Sequence, residues 1–198
     1  MPEGPSRPAR TVTPVRLTGP PWDRVLDTAL ETAERLVADW YGIRPREWSS
    51  RFRYDLASSA DHPELAFPGD ALAQLVRLED PSGTTPGRWR IVLRDEALHR
   101  LGARHGLSAL LAWTLLHELV HLVRFATGLA AFEGTDPEAR VAEERHVETV
   151  VHRIVTAAGD TGLAAVDRAL SRPDGSLSDP RPAGSPARPR REPPGRTR

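Results

Sequence analysis

The chain has 198 residues, enough for one domain of ordinary size with tails, and its 27 basic residues balance 27 acidic ones to a net charge of zero. No overall field draws it to nucleic acid or to an anionic membrane, so neither is expected as a partner. It contains no cysteine, which excludes disulfides, thiolate catalysis and Cys-based zinc sites; any metal must rest on histidines and carboxylates.

Residues 1–20 are rich in Pro and Arg and hold no apolar stretch of secretory length, so they read as a disordered extension and the cytoplasm is the expected location. Over residues 22–40, apolar side chains from Trp22 and Val25 through Ala29, Ala33 and Val37 to Trp40 recur at helical spacing, and Gly42 follows as a stop. Residues 51–56 (RFRYDL) alternate as a short strand. Two more strands, 74–78 and 88–93, flank the turn-rich DPSGTTPG and read as a hairpin with a long loop. A short helix is expected over 96–103, ending near Gly106. Ser108 then offers a cap for a helix over 109–127, closed by Gly128.

Asp136-Pro137 opens the next helix, to about residue 158, and residues 163–170 supply a last short one. From Ser171 the tail is nearly devoid of large apolar groups; it reads as disordered, and its basic end as solvated. The sequence thus predicts an α+β domain over 21–170: an N-terminal helix, a small antiparallel sheet, then two or three helices.

Residues 117–121 read HELVH, an HExxH pattern inside an apolar helical segment. His117 and His121 lie four apart, about 40° around the helix axis, so both imidazoles can reach one tetrahedral zinc ion. Glu118 sits on the adjoining edge, where it can take a proton from water at the ion without ligating it. The surrounding leucines and valines bury this helix. Two histidines and an acid there are costly without partners, and a divalent cation supplies one. The same polar residues argue against a membrane span. The competing reading makes the two histidines ordinary hydrogen-bonded core residues.

A third ligand is expected from the helix after residue 137. At about 100° per residue, Glu144 falls within the arc of Val147, Val151 and Val155. Glu144 is therefore the expected ligand, with Glu143 second and His146 third. Glu148, one turn on, either hydrogen-bonds a ligand imidazole or is a surface acid. Arg124 either pairs with Glu144 or Glu148, the favoured reading, or stabilises a developing oxyanion.

HELVH followed by a Glu-bearing helix resembles the zincin metallopeptidases, and within them the gluzincin type. The resemblance implies a peptide substrate, with zinc held by His117, His121 and Glu144 and water activated by Glu118. It also implies that Glu148 supports the ligands, although Asp is commoner there, and that strand 88–93 binds substrate backbone by strand addition. Two other readings stand beside it. One is a non-catalytic zincin-like regulatory or interaction module. The other is a di-iron carboxylate protein built on the ExxH pairs Glu118–His121 and Glu143–His146.

Overall fold

The computed structural model describes residues 20–78, 88–132 and 136–171. The two expected disordered ends and the DPSGTTPG loop therefore lie outside the described residues, save for Pro20 and Ser171. Helix α1 (Pro20–Tyr41) buries a stripe of small side chains, Ala29, Ala33 and Val37, chiefly against the central helix described below. The short helix α2 (Pro45–Ser50) was not legible as a periodic pattern. Its cues are local: Pro45 opens it, and the Glu47 carboxylate accepts the Arg44 backbone N–H at 2.8 Å.

Three strands form the sheet: β1 (Tyr54–Ser58), β2 (Ala73–Leu78) and β3 (Arg88–Leu93). Their order is β1-β3-β2. β2 and β3 make the expected antiparallel pair, with Leu75 opposite Ile91, while β1 runs parallel to β3 with Tyr54 opposite Trp89. The sheet is therefore mixed and not purely antiparallel. Once β2 has folded back on one edge of β3, β1 takes the other, and there its direction matches that of β3.

β3 is thus the central strand. Its side chains Trp89, Ile91, Val92 and Leu93 are all buried, as expected of a strand covered on both faces. This corrects the expectation that residues 88–93 offer a substrate-binding edge: both edges of β3 are already paired, and the free ones belong to β1 and β2.

Helix α3 (Asp95–His105) is followed after a single residue by α4 (Leu107–Ala126). That residue, Gly106, has φ 82° and serves both helices: its N–H bonds to the Gly102 carbonyl, and its own carbonyl accepts from Leu110. Ser108 consequently lies inside the first turn of α4 and is not its cap, because the reversal is made at Gly106. The two helices meet tightly. A Cβ on Gly102 would come within 2.7 Å of the Leu107 side chain.

α4 is the core of the molecule. Leu110, Leu111, Leu115, Leu116, Leu119 and Leu122 are fully buried, and α1, α3, α5, α6 and β2 all pack on it. By length and composition this helix could cross a membrane, but most of its surface is buried inside the fold. Helix α5 (Pro137–Ala158) opens on Asp136, whose side chain accepts from the Glu138 N–H at 3.0 Å, and buries Val147, Val151, Ile154 and Val155. Helix α6 (Thr161–Leu170), capped by Asp160, closes the fold through Leu163 and Val166.

Candidate metal centre

Four rings spaced four residues apart make a column along one face of α4. Trp113 stacks on His117 with centroids 5.5 Å apart, and His121 stacks on Phe125 at 5.4 Å. Between them the two imidazoles meet edge to face at 4.9 Å. Each histidine is therefore clamped on its outer side by an aromatic ring.

The Nε2 atoms of both histidines point to the same carboxylate oxygen. His117 Nε2 and His121 Nε2 each lie 3.4 Å from Glu144 Oε2. That is long for an N–H···O hydrogen bond, whose usual range is about 2.7–3.2 Å. Donors about 2.0–2.1 Å from one zinc ion, at tetrahedral angles, stand about 3.4 Å from each other. The spacing is that of a tetrahedron's edge. All three donor atoms fall within 4.8 Å of one another, and no other such cluster of histidines and acids occurs among the described residues. The donor set is hard to intermediate in character, suited to zinc and to other first-row ions. With three donors a fourth position is left over, and the Glu144 side chain is 57 % exposed, so water can reach the centre.

α5 delivers its acids from both sides of its buried line. At about 100° per residue, Glu143 and Glu144 straddle the direction defined by Val147, Val151 and Ile154. Glu144 lies between the directions of buried Val151 and Val155, as expected, but its side chain is 57 % exposed and reaches across to the histidines of α4. Glu143 is the more buried of the two, and both its oxygens take hydrogen bonds from the Arg124 guanidinium at 2.7 Å. Glu143 Oε1 also lies 3.7 Å from His121 Nδ1, and Tyr41 joins Arg124 from α1. Arg124 thus forms the expected salt bridge, but with Glu143 in place of Glu144 or Glu148.

Two expected neighbours stay away. Glu148 is exposed on α5 and makes no hydrogen bond or ion pair with the described residues, which fits the surface-acid reading and not the ligand support that the resemblance implies. It lies a further 40° or so around the helix from Glu144, turned off the buried line. His146 is likewise exposed. A second centre on Glu143–His146 is not assembled among the described residues, since Glu143 is committed to Arg124.

Glu118 is buried beside the pair. Burial pushes its carboxyl pKa up, against the opposing pull of His117 and His121 and of the Leu75 backbone N–H. That contact places β2, an edge strand, along the site. The charges are strongly coupled. Burial pushes His121 down, but Glu143 and Glu144 outweigh it and hold the imidazole at about 9. Burial likewise raises both carboxylates of α5, yet hydrogen bonds from Arg124 and His121 bring Glu143 down to about 2, and those from the two histidines hold Glu144 well below the usual range. The negative charge of these carboxylates faces the two imidazoles, a group that could hold a metal ion.

No protein family, curated protein or solved structure matches this chain. Sequence reasoning missed the Glu143–Arg124 clamp, the Leu75 contact and a hydrogen bond from the Trp113 indole to Asp167. The ring column did leave a trace: Trp113 and Phe125 continue the four-residue spacing of the two histidines along α4.

Proposed function

We propose that this chain is a zinc-dependent metallopeptidase whose single metal is held by His117, His121 and Glu144. The observation that carries the reading is the shared 3.4 Å separation of both Nε2 atoms from one Glu144 oxygen, with the buried Glu118 next to them. Zinc held there would polarise a carbonyl oxygen and lower the pKa of water towards neutrality. Glu118 accepts the proton of the attacking water and passes it on to the leaving amine. An extended peptide lies along β2, whose outer edge no strand of the sheet pairs and whose Leu75 N–H bonds to Glu118. Exposure of Glu144 and the three-donor set favour this open, catalytic arrangement over a closed structural ion or a non-catalytic module. The expected partner is a peptide or protein substrate.

The test is Glu118→Gln. The variant is expected to retain one zinc per chain by elemental analysis while peptide hydrolysis falls about 10²–10⁴-fold, the usual contribution of a general base. Hydrolysis unchanged by the substitution overturns the peptidase reading, and two irons per chain would replace it with a di-iron centre.

A further inference from the structure

We infer that Trp113 and Asp167 position His117 for the metal, with ring stacking in the role that a hydrogen bond to the far imidazole nitrogen ordinarily fills. The inference rests on the zinc reading above and concerns how this chain orients its first ligand.

A metal-bound histidine usually donates its other N–H to a carboxylate, a carbonyl or water, which fixes both tautomer and ring plane. Neither imidazole has such a partner among the described residues: both Nδ1 atoms are buried without a hydrogen-bond partner, and the acid near His121 Nδ1, Glu143, stands off at 3.7 Å. His117 Nδ1 lacks even such a nearby acid among the described residues; only its Nε2 faces a carboxylate. What fixes its plane is the Trp113 indole, 28° from parallel at 5.5 Å. The indole is fixed in turn. Its Nε1–H donates to Asp167 Oδ1 at 3.1 Å, in a carboxylate that is 3 % exposed. The other oxygen of Asp167 is held by His152 Nδ1 at 2.7 Å, so the acceptor cannot swing away from the indole. A buried carboxylate on α6 thereby sets the orientation of a ligand on α4 through one intervening ring. These are positioning residues, since neither Trp113 nor Asp167 belongs to the donor cluster.

The test compares the full chain with Trp113→Leu, Trp113→Phe and Asp167→Asn. Zinc affinity is measured by competition with a chromophoric chelator, the visible spectrum is recorded with cobalt(II), and melting is followed in excess chelator. Trp113→Leu keeps apolar volume but removes the stack; it is expected to weaken zinc binding about 10–100-fold, the usual effect of a supporting partner, and to alter the cobalt spectrum. Trp113→Phe restores a stacking ring without the bond to Asp167 and should fall between Trp113→Leu and the parent, while Asp167→Asn keeps both the indole and an acceptor and should lie closer to the parent. A merely structural role would lower the melting temperature of all three without moving the cobalt spectrum. Wild-type affinity and spectrum in Trp113→Leu overturn the positioning role alone. Failure of the unsubstituted chain to bind zinc or cobalt overturns the metal reading, and this inference with it.

Discussion

The carboxylates of α5 are the side chains whose substitution separates ligand from support. Removing Glu144 deletes a donor, so Glu144→Ala should weaken zinc binding by more than the roughly 10–100-fold typical of outer partners. Glu143→Ala should fall within that range, because it frees the His121 ring and leaves Arg124 without its bidentate partner. Glu148→Ala and His146→Ala should bind zinc as the parent does; chelator competition on the four variants checks the order. At this scale the sequence was informative where chemistry repeats along one helix. HELVH named two imidazoles and an acid, and the turn of α5 pointed to Glu144. The Arg124–Glu143 and Trp113–Asp167 contacts join residues 19 and 54 positions apart, and pairings of that kind leave no periodic trace in a single chain.

α4 holds the fold and the site together, so its apolar side is where destabilisation begins. Leu116 is fully buried there, and Leu116→Ala should cost about 2–5 kcal/mol, read as a lower urea midpoint. The α3–α4 junction is sensitive for a different reason. Gly106 has φ 82°, which side-chain-bearing residues adopt only at a cost, and Gly106→Ala should lose at least about 1–2 kcal/mol in the same measurement. The long helices were legible because their apolar positions recur over several turns. The six-residue α2 is too short to show a period, and the parallel pairing of β1 with β3 depends on which edge remains after the hairpin has formed. Strand composition alone carries no such information.

Across the whole molecule, one charge cluster ties the outer strand β1 to the sheet. Asp55 lies opposite Arg90 in the register and accepts its Nε–H at 2.6 Å, with Arg88 adding a second contact at 3.1 Å. Hydrogen bonding from Arg90 holds the Asp55 carboxyl below its ordinary value, against the opposing effect of burial. A carboxyl depressed in the folded state binds its proton less readily there than in the unfolded chain. Its stabilisation is thus complete above the unfolded value of about 4 and is lost as the pH falls through the lower folded one. Asp55→Asn should flatten the acid limb of a stability–pH curve measured by urea unfolding, with little change in its shape near neutrality. Zinc should act on the same global scale: an ion bound only by the folded state adds about 2.7 kcal/mol at a hundred times its Kd, and His117→Ala should abolish the resulting rise in melting temperature.

Both imidazoles and Glu118 ride on a helix enclosed by the rest of the protein, whereas the third donor comes from α5, whose first two turns are exposed. An ion at that junction would act as a cross-link, fastening a solvent-facing segment to the most protected one. Amide hydrogens of α4 should therefore exchange slowly with or without zinc, while those in the opening turns of α5 should slow markedly once zinc is added. Tethering of this kind would make release of α5 and loss of the ion a single event.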